Sequence, residues 1–181
     1  DVAARIGLGH LLPDIPNAIT RKTTAFFEPA LDYVICKIPR WDLTKFGGSV
    51  KELGSEMKSV GEVMAIGRTF PEALQKAVRM LDIGVRGVDP HAFAFPDLRR
   101  ELRFATPRRL FAIARALQDG MSIDEIHDLT RVDAWFLREV GEIVTHHDRL
   151  AAASQPLDPA LIRESKQLGF SDLMIDELTH A

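Results

Sequence analysis

Apolar residues recur with two different periods along this chain of 181 residues, and the change between them divides the chain. Up to about residue 82, helical spacing alternates with short runs of β-branched and aromatic residues, which are typical of strands. From residue 83 onward only helical spacing remains, interrupted by glycines and prolines. The pattern predicts an α+β part over residues 1–82 and an all-α part over residues 83–181, linked by the segment 84–90.

Two strands are predicted in the first part. Residues 31–38 are rich in β-forming residues, and Pro39 is expected to end this strand because proline has no backbone N–H to donate. Residues 60–66 form the second predicted strand, with Gly61 and Gly67 beside its ends. The first part is therefore expected to contain a small sheet.

Local signals frame these strands. Residues 2–8 have the pattern of a helix tail that ends at Gly9, and the pair 47–48 (Gly-Gly) indicates a turn. After the second strand, Thr69 is expected to cap a helix, and Glu72 three residues later completes a capping box. We therefore expect a helix to follow the second strand directly.

Helix-start signals recur in the second part. Ser, Thr or Asp precedes most of the apolar periodic stretches, and Pro follows two of these residues at the first helical position, where its missing N–H costs nothing. The second part is thus expected to consist of short helices joined by tight turns. The predicted starts are Pro96, Thr106, Ser122, Asp133, Asp158 and Ser171.

Composition excludes several classes of function. Hydrophobic residues make up 46% of the chain and charged residues 27%, as in ordinary globular proteins, and the net charge is −3. Such a charge offers no basic field for nucleic acid, and no apolar run approaches the roughly 20 residues of a membrane helix. The single cysteine, Cys36, excludes an internal disulfide and fits a reducing compartment, so we expect the cytoplasm.

Few side chains suggest chemistry by themselves. The sequence contains no Walker phosphate loop, no complete dinucleotide-binding motif and no HExxH motif, so no catalytic, cofactor-binding or metal-binding residue is predicted. His146 and His147 are adjacent on a predicted helix and point about 100° apart, so we expect a solvated pair and not a metal site. Trp135 and Phe136 are adjacent and cannot share one face of a helix, so we expect one to pack inward and the other to meet a neighbouring helix or a partner subunit. Core packing is the expectation, with an interface as the alternative.

The segment 57–70 (MKSVGEVMAIGRTF) has an unusual density of glycines and charges beside a predicted strand. Polar groups are costly next to a half-buried strand unless they have partners, which favours a functional role. The alternative is that Gly61 and Gly67 form turns at the strand ends while Lys58 and Glu62 are solvated.

Two segments, 57–70 and 27–40 (FEPALDYVICKIPR), resemble signatures of the large subunit of carbamoyl-phosphate synthetase, in the family's order and at similar spacing. The resemblance extends through the helical part and covers nearly the whole chain. The helical segments that carry it are 109–119 (RLFAIARALQD), 122–130 (SIDEIHDLT), 133–137 (DAWFL) and 161–170 (LIRESKQLGF).

This resemblance implies a fold and a parent enzyme. Residues 1–82 are expected to be the C-terminal remnant of the carboxyphosphate ATP-grasp domain, and residues 83–181 the all-α oligomerisation domain. The parent is expected to be a ligase of arginine and pyrimidine biosynthesis that makes carbamoyl phosphate from bicarbonate, glutamine-derived ammonia and two ATP. It would use ATP with Mg²⁺ or Mn²⁺ and bind a glutaminase small subunit, with self-association through the helical domain.

The resemblance also assigns roles to residues. The family's Glu-x-Asn-x-Arg loop, which holds the metal and the phosphates, does not occur in this sequence, so we expect no productive ATP binding by the chain. Met57 and Glu62 match positions that line the family's carbamate tunnel. Without the rest of the ATP-grasp core, the strands at 31–38 and 60–66 are expected to expose apolar surface.

Two alternatives stay open at the level of sequence. The chain begins with Asp1 inside a predicted helix, which favours an excerpt of a longer protein over a free-standing helical interaction module without catalysis. Residues 122–140 also allow a helix-turn-helix DNA-binding protein. Against DNA binding, the segment 119–140 carries six acidic residues and two arginines, and such a surface repels phosphate.

Overall fold

The computed structural model describes residues 1–28, 30–41, 53–54 and 59–180. These residues group into two compact units, Asp1–Asp32 and Tyr33–Ala181. The prediction of a domain boundary between residues 82 and 83 stays a prediction, as does the expected turn at 47–48, which lies outside the described residues.

The smaller unit begins with helix α1 (Val2–Gly7), which confirms the predicted helix tail. Gly9 follows with a φ of 94°, a left-handed conformation that glycine adopts without steric cost. A single 3₁₀ turn (Leu12–Asp14) comes next, and Pro16 and Thr24 then form an isolated antiparallel bridge.

The larger unit begins with a two-stranded antiparallel sheet of β1 (Val34–Arg40) and β2 (Gly61–Gly67), in which Ile35 lies opposite Ile66. Both predicted strands are confirmed. The expectation that Pro39 ends the first strand is wrong, because Pro39 lies inside β1, opposite Glu62. Within the described residues β1 pairs with β2 alone, and a strand with an unpaired edge tolerates a residue that lacks an N–H.

Helix α2 (Phe70–Met80) follows the sheet directly, as predicted. The Thr69 hydroxyl caps it by accepting the backbone N–H of Glu72 at 3.4 Å. The Glu72 carboxylate accepts the backbone N–H of Arg68 at 2.8 Å, one residue before the position that a capping box requires. This contact ties the end of β2 to the first turn of the helix.

In the described part of the second half, helices follow one another without a further strand, as the apolar pattern predicts. Ser122, Asp133, Asp158 and Ser171 each accept a backbone N–H of the following turn and so confirm four predicted starts. The helices are α3 (Leu98–Arg103), α4 (Arg109–Gln118), α5 (Ile123–Thr130), α6 (Ala134–Ala151), α7 (Pro159–Gln167) and α8 (Asp172–Thr179).

Two predicted helix starts are displaced. Helix α3 is capped by Asp97, whose carboxylate accepts the backbone N–H of Arg100 at 3.0 Å, and so begins after Pro96. Helix α4 begins at Arg109, whereas Thr106 was expected to cap it. The Thr106 hydroxyl donates to Glu101 Oε2 at 2.9 Å, and a turn separates it from the helix.

The core of the larger unit is organised around α6, which packs against α2, α4, α5 and α8. Helix α2 also packs against both strands, so the sheet and the helices share one hydrophobic core. The largest fully buried apolar side chains are Phe170, Leu102, Ile126, Leu137, Ile143 and Leu150.

Candidate functional site

The small sheet has one face on the core and one face in solvent. Cys36 and Ile38 of β1 pack towards the core, and burial raises the pKa of the Cys36 thiol, as expected for a half-buried small hydrophobe. The opposite face carries Ile35, Met64 and Ile66, all more than 40% exposed. The predicted exposure of apolar surface on both strands is therefore confirmed.

Glu62 lies on this outward face of β2. Its carboxylate forms a 2.8 Å ion pair with the ammonium group of Lys37 on β1, and both side chains are exposed. An exposed pair of this kind contributes at most about 1 kcal/mol to stability, so the carboxylate stays available for another partner. Met57, the other residue expected to line a carbamate tunnel, lies outside the described residues.

The end of β2 approaches α2 unusually closely. A side chain at Gly67 would place its Cβ 2.6 Å from the backbone nitrogen of Ala73. Lys76 then donates to the Ile66 carbonyl at 3.1 Å and to the Glu72 carboxylate at 2.6 Å. The hydrogen bond from Lys76, followed by that from the Arg68 backbone, lowers the pKa of Glu72. The glycine of the motif therefore has a steric role that fixes the strand on the helix.

An aromatic cluster lies where α2 and α6 begin. The ring of Phe70 is 5.4 Å from that of Trp135 and 5.3 Å from that of Phe136, between ring centroids. Trp135 and Phe136 are 4.9 Å apart and nearly perpendicular. They are 45% and 44% exposed, so the expectation that one of them packs into the core is wrong, whereas the expected contact with a neighbouring helix is confirmed by Phe70 of α2. We call Phe70, Trp135 and Phe136 the aromatic triad.

A charged surface cleft adjoins the aromatic triad. Thr69 and Pro71, the neighbours of Phe70 in sequence, line it together with residues from α6 and α7. Its charged lining residues include Glu139 and Glu142 on α6 and Arg163 on α7. Partial burial, and next the negative charge of Glu142, raise the pKa of Glu139. We call this feature the charged cleft.

The two adjacent histidines of α6 are buried, so the expectation of a solvated pair is wrong. His146 is 2% exposed and His147 is 3% exposed, because both lie on the face of α6 that meets the rest of the core. His146 Nε2 lies 2.8 Å from the Ser165 hydroxyl, and its ring packs on Phe170. Burial is the largest cause that lowers the pKa of His146.

His147 faces a different set of polar groups. Its Nδ1 lies 3.2 Å from Asp148 Oδ1, which also accepts a hydrogen bond of 2.7 Å from Gln118. Its Nε2 lies 3.7 Å from Asp89 Oδ1. Among the described residues no group of three His, Cys, Asp or Glu side chains is placed to hold a metal ion. His146 therefore connects α6 to α7 through its contact with Ser165, whereas the hydrogen-bond contact of His147 stays within α6.

Sequence reasoning missed the residues that anchor these buried polar groups. Gln75 is fully buried, and its side-chain oxygen accepts the backbone N–H of Val88 at 2.6 Å. Ser165 is likewise fully buried beside His146. Val88, the partner of Gln75, and His146, the partner of Ser165, lie in other parts of the chain, so no local sequence pattern identifies these contacts. The nearest local signal for Gln75 is its polar side chain inside an otherwise apolar helical stripe.

Comparison with known proteins identifies the family. Residues 62–181 match the family model described as the oligomerisation domain of the carbamoyl-phosphate synthetase large chain. The chain is 50% identical to the mitochondrial arginine-specific large chain of carbamoyl phosphate synthase from Schizosaccharomyces pombe, over 99% of this chain and 16% of that protein. It is 46% identical to the carbamoyl phosphate synthase large chain of Methanothermobacter thermautotrophicus, over 98% of this chain and 16% of that protein.

A human relative, mitochondrial carbamoyl-phosphate synthase [ammonia], is 45% identical over 97% of this chain and 12% of its own length. The described fold is helical with one small antiparallel sheet, which is compatible with the matched domain. The chain belongs to the carbamoyl-phosphate synthetase large-chain family, and the resemblance found in the sequence is confirmed. It spans between 12% and 16% of the length of these relatives.

Proposed function

We propose that the chain is the segment of a carbamoyl-phosphate synthetase large chain that joins the end of the first ATP-grasp half to the oligomerisation helices. Residues 1–82 would be the ATP-grasp remnant and residues 83–181 the oligomerisation domain. The observation that carries this proposal is the family match over residues 62–181, together with similarity over nearly the whole chain to large chains several times longer.

The parent protein would be a glutamine-dependent ligase. It would make carbamoyl phosphate from bicarbonate, ammonia released by a glutaminase small subunit, and two ATP. The names of the fungal relatives favour arginine biosynthesis, and pyrimidine biosynthesis is the other use of the product. We propose the cytoplasm as its compartment, although several eukaryotic relatives are named mitochondrial. Among the described helices none is long and apolar enough to cross a bilayer.

ATP and Mg²⁺ or Mn²⁺ would be bound elsewhere in the parent. The family's Glu-x-Asn-x-Arg loop, which holds the metal and the phosphates, does not occur in this sequence, and this supports the assignment. Titration of Mg·ATP into the chain by calorimetry tests this assignment. We expect no heat of binding, and saturable binding would contradict it.

The outward face of the sheet supports the ATP-grasp assignment. Two strands are fewer than an independent sheet needs, and apolar side chains line the face away from α2. Such a face is what a piece of a larger sheet-containing domain would expose. Residues 1–82 would then supply β1, β2 and the segment between them to that domain.

We propose that Met57 and Glu62 line the tunnel for carbamate in the parent. The position of Glu62 on the outward face, away from the core, supports this role, because a carboxylate there can orient a small neutral or anionic species by hydrogen bonds and charge. Glu62→Gln in the full large chain is expected to lower carbamoyl phosphate formation while bicarbonate-dependent ATP hydrolysis continues.

A matched control separates the carboxylate of Glu62 from its ion pair. Lys37→Met removes the partner of Glu62 but leaves the carboxylate in place. We expect this variant to keep the normal ratio of ATP hydrolysed to carbamoyl phosphate formed. An unchanged ratio in Glu62→Gln would contradict the tunnel assignment.

In the chain itself, the property that we expect to remain is self-association through the helical part. Sedimentation velocity over about a hundredfold range of concentration tests this, because a self-associating protein sediments faster as concentration rises. The alternative of a free-standing module without catalysis is tested by the mass of the gene product in its source cells. A band near 20.2 kDa would favour the module, and a much heavier band the parent enzyme.

A further inference from the structure

We propose that the turn between α3 and α4 positions the segment that carries Met57, so that the helical part of the chain helps to hold the wall of the tunnel. We call this segment, residues 41–60 between β1 and β2, the β1–β2 connector. The inference rests on the proposed tunnel role of Met57 and adds a positioning element to it. The observation that carries it is a contact between two residues far apart in sequence.

The contact joins Leu53 of the β1–β2 connector to Ala105, which lies between α3 and α4. The backbone N–H of Leu53 donates to the Ala105 carbonyl at 2.6 Å. Both residues are partly buried, so water competes less for these two groups than it would at a fully exposed position. Ala105 lies within residues 62–181, which match the oligomerisation domain. The contact therefore ties a part of the proposed ATP-grasp remnant to the helices of that domain.

The turn that carries Ala105 is held from both sides. Arg109, the first residue of α4, donates from Nε to the Leu102 carbonyl at 2.9 Å and from Nη2 to the Thr130 carbonyl at 2.9 Å. These two bonds tie the end of α3 to the end of α5, and the fully buried side chain of Leu102 fixes α3 on the core. Because Ala105 lies between these anchored residues, its carbonyl has a fixed position.

The β1–β2 connector returns to the sheet at Val60. The backbone N–H of Val60 donates to the Arg40 carbonyl at 3.0 Å, and the Arg40 guanidinium donates to the Leu81 carbonyl at 2.7 Å. In sequence, Met57 lies four residues after Leu53 and three before Val60. A residue between two anchors that are close in sequence has less conformational freedom than one in a long loop. This is how the α3–α4 turn would position Met57.

The tunnel proposed above needs a fixed wall, because carbamate that escapes from it is not converted to carbamoyl phosphate although ATP has been used. The register of β1 and β2 sets the position of Glu62. Met57 lies outside both strands, and the contact of Leu53 with Ala105 supplies the anchor on its N-terminal side. The helical part would therefore influence the ratio of ATP hydrolysed to carbamoyl phosphate formed, through the β1–β2 connector.

Hydrogen exchange of the Leu53 amide tests the contact in the full large chain. An amide that donates to a carbonyl on a fixed turn exchanges only when the contact opens, so we expect exchange at least about tenfold slower than in an unstructured peptide of the same sequence. Mass spectrometry with fragmentation of the peptide that contains residue 53 gives this rate. Exchange at the unstructured rate would overturn the inference.

Two substitutions at residue 53 test the effect on the reaction. Leu53→Pro removes the backbone N–H, whereas Leu53→Ala keeps it and shortens only the side chain. In the full large chain with its glutaminase subunit, we expect Leu53→Pro to raise the ATP hydrolysed per carbamoyl phosphate formed at least about twofold, because a misplaced wall lets carbamate escape. Leu53→Ala should leave this ratio close to that of the wild type.

A second pair of variants tests the same element from the helical side. Arg109→Met breaks both bonds that hold the turn, and Arg115→Met removes an equal charge from an exposed ion pair with Asp119 on the same helix. We expect Arg109→Met to speed exchange of the Leu53 amide and to raise the ATP ratio, and Arg115→Met to do neither. Slow exchange at the amide of the buried Ile143 on α6 shows that each variant is folded.

The outcomes separate this inference from the proposed function. If Glu62→Gln raises the ATP hydrolysed per carbamoyl phosphate formed, while Leu53→Pro and Arg109→Met leave it unchanged, the tunnel stands and the positioning role is overturned. If none of the three variants changes the ratio, both are overturned. A slowly exchanging Leu53 amide, together with a raised ratio in Leu53→Pro and Arg109→Met, is the expected result.

Discussion

Ser165 determines which ring nitrogen of neutral His146 carries the proton. The Ser165 hydroxyl donates to the Leu161 carbonyl at 2.7 Å, so it can only accept at its contact of 2.8 Å with His146 Nε2. Nε2 is therefore protonated, and Nδ1 holds the lone pair. Nδ1 faces the Arg149 guanidinium at 3.5 Å and the Glu164 carboxylate at 3.8 Å.

Acidification is expected to destabilise the fold through His146. Burial, with a smaller contribution from the Arg149 charge, lowers the pKa of His146 in the folded chain below its ordinary value, and Glu164 opposes this only in part. The unfolded chain then binds more protons, so the free energy of unfolding is fully retained above about pH 6.5 and falls as pH decreases from there. Urea unfolding at pH 7.5 and at pH 5.5 measures the difference.

Two variants show whether His146 causes this pH dependence. His146→Gln keeps a side chain that can donate to Ser165 but cannot gain a charge, so the loss of stability between the two pH values should shrink. Ile126→Val removes one fully buried methyl group on α5, away from the contacts of His146 with Ser165 and Phe170, and should lower stability equally at both pH values. An unchanged pH dependence in His146→Gln would show that other groups cause it.

The close contact between Gly67 and Ala73 predicts a strong difference between two glycines of the same strand. Gly67→Ala would place a methyl group 2.6 Å from the Ala73 backbone nitrogen, and we expect a loss of about 1–3 kcal/mol in the free energy of unfolding. Gly61→Ala meets no atom within 4 Å and should cost much less. Denaturant unfolding of both variants makes the comparison, and equal costs would contradict the steric role.

Gln75 is expected to stabilise the fold through one buried hydrogen bond. Gln75→Leu keeps a similar volume but leaves the Val88 backbone N–H without its acceptor, which should cost about 1–3 kcal/mol. Gln118→Leu removes an exposed hydrogen bond to Asp148 and should change stability by no more than about 0.5 kcal/mol. If the midpoint temperature of thermal unfolding fell equally in both variants, the hydrogen bond to Val88 would not be a special source of stability.

The outward face of the sheet is expected to bind a hydrophobic dye. Ile66→Glu adds a negative charge to this apolar face and should reduce the fluorescence of bound anilinonaphthalene sulfonate, itself an anion, without loss of stability, because the side chain is exposed. Leu173→Glu, at a similarly exposed position on α8, is the matched control and should reduce the signal less. Equal reductions of dye fluorescence in the two variants would mean that the dye does not bind preferentially to the outward face of the sheet.

Local signals were sufficient for most elements. The cap of α6 by Asp133 and the cap of α5 by Ser122 depend on a side chain and a backbone N–H only two or three residues apart, so the sequence contains both partners. The displaced start of α4 shows the limit of these signals. The Thr106 hydroxyl accepts the backbone N–H of Arg108 at 3.3 Å while it donates to Glu101, but the turn at 107–108 delays the regular helix until Arg109, and the sequence pattern does not show this delay.

The candidate site was only partly predictable. Glu62 was found through resemblance, and its ion pair with Lys37 depends on the register of two strands that are far apart in sequence. The burial of His146 was missed because adjacent polar residues on a helix are usually solvated, and its hydrogen-bond partner lies on another helix. The exposure of both Trp135 and Phe136 was missed because Phe70, against which they pack, lies on another helix and no local pattern identifies it.

By itself, the sequence determined the period of each element, its caps and the family, because these depend on residues close together or on segments that stand in a recognisable order. Tertiary structure decided the solvent exposure of Trp135, the burial of His146 and the need for glycine at position 67. Each of these depends on which distant side chain arrives within a few ångströms, and packing of the whole core sets that distance.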